Sequence, residues 1–118
     1  MAQIKYNLGN VNNNGNNYST DEQVIGTWID GKPIYRKVFI IENTTTSETD
    51  IDVSSLNIEN VIDISGIAYN DSIQLPINFY NESGYNSCYY SKHISSIKYK
   101  ISHGNNARII IEYTKTTD

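Results

Sequence analysis

Three features of the sequence predict an all-β fold. Isoleucine outnumbers leucine by 19 to three, and ten tyrosines accompany it, so the chain is rich in strand formers and poor in helix formers. Apolar and polar residues alternate over short runs, most regularly in "IQLPINFY", residues 73–80. Clusters of Gly, Asn, Asp and Ser punctuate those runs. The predicted architecture is a small antiparallel β-sandwich, jelly-roll-like, with about seven or eight short strands.

Residues 1–17 are polar, Asn-rich and without periodicity, which reads as a flexible lead before a single sandwich domain over 18–118. "STDEQ" has capping-box spacing but no apolar stripe behind it, so one helical turn is the most it predicts. Asp30-Gly31 is a preferred pair for a two-residue turn, with Val24–Ile29 and Ile34–Ile41 as the arms of a hairpin. A polar loop follows over 42–50. Ile51 to Ile64 reads as one or two strands, broken at Ser54-Ser55 or Glu59-Asn60, and Gly66 marks a kink. In 73–80, Ile73, Leu75, Ile77 and Phe79 share one face; Pro76 has no N–H to give a ladder, so that strand has a free edge. "NESGYNS" reads as a loop, Tyr89–Ile94 and Ile97–Ser102 as strands, and "HGNNA" as a turn into a closing hairpin strand, Arg108–Lys115.

At 118 residues the chain is one domain in size, able to bury roughly 65% of its unfolded surface. A net charge of −4 and only two arginines, Arg36 and Arg108, argue against a nucleic-acid partner. No apolar run approaches the length of a membrane span, which argues against membrane insertion. The single cysteine, Cys88, has no partner in the chain for a disulfide, and no activating neighbour marks it as a nucleophile.

Catalytic and metal chemistry find little footing. Glu48, Asp50 and Asp52 lie in or beside a polar loop, where solvated carboxylates are the simpler reading than a glycosidase pair. His93 and His103 have no Cys or carboxylate at ligand spacing, and no phosphate-cradling Gly loop is present. The expectation is therefore no catalytic residue, no metal and no cofactor. Tyrosine and asparagine do gather: Tyr80, Tyr85, Tyr89 and Tyr90 with Asn81 and Asn86. Tyr offers a flat face and a hydroxyl at low entropic cost, and Asn both donates and accepts. Tyr85, Asn86, Tyr89 and Tyr90 are the candidate ligand-binding residues. Val38-Phe39-Ile40-Ile41 and Ile109-Ile110-Ile111 are apolar on both strand faces, so one face needs a cover beyond the core. A neighbouring subunit, a second sheet or a loop would supply it; for the first, Trp28, Phe39, Ile41 and Ile110 are the candidate interface residues.

Two stretches carry a resemblance. "YSTDEQVIGTWIDGKPIYRKVF", residues 18–39, and "IEYTKTTD", residues 111–118, resemble the C-terminal domain of bacteriophage tail-fibre and receptor-binding proteins of phages and prophages of Firmicutes and other gut bacteria. Residues 40–110 carry no such likeness. The resemblance implies a β-rich distal domain, a homotrimer on the virion's tail fibre, binding a glycan or protein on the bacterial surface without catalysis. Two competing expectations are a trimerisation or capping domain with no receptor contact, and an enzyme acting on cell-wall or capsular polysaccharide.

Overall fold

The computed structural model describes residues 17–118, so the predicted flexible lead lies outside the described residues except for Asn17. Nine strands form: β1 (Gln23–Thr27), β2 (Pro33–Glu42), β3 (Thr49–Asp52), β4 (Ile58–Tyr69), β5 (Gln74–Pro76), β6 (Phe79–Asn81), β7 (Gly84–Ser91), β8 (Ser96–Ile101) and β9 (Asn106–Lys115). They make a five-stranded sheet in the order β1-β2-β9-β4-β5 and a four-stranded sheet in the order β3-β8-β7-β6. All pairings are antiparallel. The predicted all-β class and two-sheet architecture hold.

Topology follows connection length. β2 lies beside β9 and β3 beside β8, the outer wrapping of a jelly roll, but the inner strands pair as β4 with β5 and β6 with β7. The links inside those two pairs are short, Asn70–Ile73 and Glu82-Ser83, and short links favour neighbouring antiparallel strands. Asn70 Oδ1 accepts from the Ser72 and Ile73 amides, and Asn81 Oδ1 from that of Ser83, so each turn is held by its own asparagine.

Several elements differ from the sequence expectation, each for a local reason. The first hairpin closes with a three-residue loop, Ile29–Gly31, because only Gly31 takes positive φ (90°) whereas a two-residue turn needs it at both positions. Trp28 N donates to Lys32 O at 2.8 Å to close it. "STDEQ" forms no helical turn; Ser19 O instead accepts from Val38 N, which lays the segment along β2. The run 73–80 keeps its alternation, with Ile77 buried, but splits into β5 and β6 in different sheets. β5 is the edge strand that Pro76 predicts. Gly66 makes no break: β4 runs through it to Tyr69. β9 does not form a hairpin with β8 but crosses to the centre of the other sheet, between β2 and β4.

Burial explains that last placement. Ala107, Ile109, Ile111 and Tyr113 of β9 are fully buried, and only a central strand is covered so completely along one face. They meet Cys88, Ile97, Tyr99 and Ile101 from the four-stranded sheet, with Val53 and Ile77 closing the ends of the core. One end of the five-stranded sheet is tied by polar groups. Glu22 accepts from the Tyr113 hydroxyl and, at 2.7 Å, from Lys115 Nζ. Tyr35 stacks on Tyr113 with 5.9 Å between centroids and donates to Asp118 at 2.7 Å. The carboxylate of Asp118 raises the Tyr35 phenol to about 12.

Candidate recognition face

Strand parity sorts the predicted ligand-binding residues into two groups. On β7, Tyr85, Ser87 and Tyr89 point away from the core, and Asn86, Cys88 and Tyr90 point into it. Tyr85 and Tyr89 are exposed, at 44% and 46%. Asn86 is only 2% exposed. Its Oδ1 accepts from the Ser102 and His103 amides at 2.8 and 2.9 Å, and its Nδ2 donates to His103 O at 3.0 Å. Those bonds fix the bend at which the chain leaves β8 for β9. Asn86 is thus a structural clamp rather than a ligand contact, and Tyr90 lies opposite Ile97, packed on the core.

The structure sets beside them Tyr80, which the sequence grouping includes, and two lysines, which it does not. Tyr80 of β6 lies directly opposite Tyr85 and is 78% exposed. Lys98 and Lys100 of β8 share the outer face, opposite Tyr89 and Ser87. The signal was present in "IKYKI", where period two sets both lysines on one side. The two lysines differ in charge environment. Lys98 donates to Asp50 at 2.9 Å and lies 3.8 Å from Glu48, and the Asp50 hydrogen bond raises its pKa. Lys100 donates to Ser102 Oγ at 2.8 Å and holds its ammonium 4.2 Å from the Tyr85 ring centroid. Among the described residues, no carboxylate lies within ion-pair distance of Lys100.

The outer face of the five-stranded sheet has a different character. Val38, Ile110 and Ser65 form one cross-strand row, and Ile40, Arg108, Ile67 and Pro76 the next. Ile40 is 51% exposed. At one end the Arg36 guanidinium lies 3.8 Å from the Tyr18 ring centroid and donates to Asn17 O at 3.1 Å. Of the four interface candidates, Ile110 lies on this face and Trp28 sits half-exposed at the hairpin turn. Phe39 and Ile41 lie opposite Ile109 and Ala107 and pack on the domain's own core, because they share the inward parity of β2.

The carboxylates around β3 and the single cysteine are engaged within the fold. Asp50 and Glu48 hold Lys98, and Asp52 accepts from the Ser54 amide, which lowers its pKa. Cys88 is buried, and desolvation pushes its thiol up to about 12, so it is protonated at neutral pH. Among the described residues no three His, Cys, Asp or Glu side chains converge as metal ligands, and no helix is long and apolar enough to cross a membrane. Comparison of the chain with protein-family models, curated proteins and solved structures returns no match.

Proposed function

We propose that the chain is a non-enzymatic tip domain of a bacteriophage tail fibre that binds a glycan or protein receptor on the bacterial host surface. The observation that carries this reading is the set of exposed tyrosines, Tyr80, Tyr85 and Tyr89, on one face of the four-stranded sheet. Aromatic faces held on a rigid sheet bind with little ordering cost. A second observation agrees with the division of labour. The two stretches that resemble fibre tips fall on β1–β2 and β9, which lie side by side with Tyr35 opposite Tyr113. The chain between them supplies every strand of the tyrosine-bearing sheet. In this reading the domain stands at the distal end of a virion fibre as a homotrimer.

Replacing Tyr85 and Tyr89 together by alanine is expected to weaken adhesion of the labelled protein to Firmicutes cells about 30-fold, from about 1 kcal/mol per lost aromatic contact. Circular dichroism should be unchanged, since neither side chain enters the core. Adhesion equal to the parent's would remove this face as the receptor site.

The second reading, a trimerisation or capping domain, is favoured by the apolar rows on the outer face of the five-stranded sheet. Ile110→Asp tests it. Ile110 lies outside the core, so the variant is expected to fold, and an unpaired charge in a dry contact should lower the oligomeric mass in light scattering. An unchanged mass would place the subunit contact elsewhere.

A further inference from the structure

Resting on the receptor-binding reading, we infer that the tyrosine face takes an acidic polysaccharide, with Lys100 as the seat of its anionic group. Tyr85 and Tyr89 are four residues apart on β7, so their Cα atoms lie about 13 Å from each other at 3.3 Å per residue. Only Ser87 stands between them on that face, and Lys100 lies directly opposite Ser87 on the neighbouring strand. The result is a row of aromatic ring, small hydroxyl residue and aromatic ring along β7, with the Lys100 ammonium drawn to the Tyr85 end of it.

The charge is placed rather than scattered. The Ser102 hydroxyl and the Tyr85 ring restrain the Lys100 ammonium, and neither neutralises it. Its neighbour Lys98 is neutralised by Asp50 and Glu48. The face therefore offers one uncompensated cation beside two stacking surfaces, bordered by carboxylates. One fixed cation matches a polymer bearing one anion per repeat, its sugar rings lying on Tyr85 and Tyr89. β7 and β8 are interior strands of their sheet, so the N–H and C=O groups beneath Tyr85, Ser87, Tyr89 and Lys100 are engaged in the ladder and offer an added strand no edge. A carboxylate on a uronic acid and a phosphodiester in a polyol-phosphate polymer present the same chemistry to Lys100.

The test is binding of the full chain to three immobilised polymers: polygalacturonate, poly(glycerol phosphate) bearing sugar substituents, and neutral dextran. At least one acidic polymer is expected to bind, with an affinity that falls as salt rises, and dextran to bind at least tenfold more weakly. Lys100→Gln is expected to lose about tenfold on the acidic polymer, the worth of one charge-assisted contact, and Lys100→Arg to restore most of it. Which acidic polymer binds decides between carboxylate and phosphate. The inference is overturned by equal binding of Lys100→Gln and parent, by equal binding of dextran, by binding to neither acidic polymer, or by host adhesion that survives glycan removal and is lost on protease treatment of the cells. If host adhesion is lost in the double tyrosine variant but kept in Lys100→Gln, the receptor reading stands and the anion assignment falls. If both variants adhere like the parent, the receptor site itself lies elsewhere.

Discussion

Asn86→Ala is expected to lower the unfolding free energy by about 3 kcal/mol, roughly 1 kcal/mol for each of the three hydrogen bonds its carboxamide makes. The side chain is almost wholly buried, so the amides of Ser102 and His103 would lose their acceptor where water cannot readily replace it. For a domain of this size, with about 5–15 kcal/mol of total stability on the usual scale, that is a large share. Urea denaturation checks it: the midpoint should fall with the slope unchanged. A ligand contact would behave otherwise, losing adhesion with no change in midpoint, so the experiment also separates the clamp from the recognition role that sequence alone suggests.

Gly66→Ala is expected to be more severe still, preventing folding or costing more than about 4 kcal/mol. A β-carbon at this position would meet the Arg108 carbonyl oxygen at 2.2 Å and the Ile109 α-carbon at 3.2 Å. Both are backbone atoms of the central strand, so no rotamer change relieves the contact; β4 and β9 would have to part. Gly26→Ala provides the control, because nothing lies within 4 Å of its β-carbon, and it is expected to be neutral or slightly stabilising. Thermal unfolding followed by circular dichroism compares the two. A folded Gly66→Ala protein with a melting point near the parent's would show that β4 and β9 tolerate separation.

The sequence carries local information well and distant pairing poorly. Alternation in 73–80 correctly separates Ile77 from Gln74, Pro76 and Asn78, yet nothing in that run says that the chain changes sheets within it. The switch is made by Ile77 N donating to Gly66 O and Cys88 N donating to Asn78 Oδ1, bonds to residues remote along the chain. Gly66 looks like a kink because a lone glycine in a strand usually signals one. Its real cause, the close approach of β9, becomes visible only when the strands are paired. Clustering of Tyr85, Asn86, Tyr89 and Tyr90 is legible, but reading 81–87 as a loop hides that β7 begins at Gly84, and with it the parity that turns Asn86 inward. Lys100 escapes notice for a related reason: its significance depends on which lysine finds a carboxylate, and that requires β3 to lie beside β8.

The strict alternation on β7 and β8 has a practical corollary for altering the surface chemistry of the four-stranded sheet. Positions 85, 87 and 89 on one strand, and 98 and 100 on the next, face solvent, while their immediate neighbours Asn86, Cys88, Ile97, Tyr99 and Ile101 are buried. A library that randomises only the first set would explore new surface chemistries while leaving hydrophobic packing and the inter-strand ladder untouched. Natural diversification of the same five codons would meet equally little structural resistance.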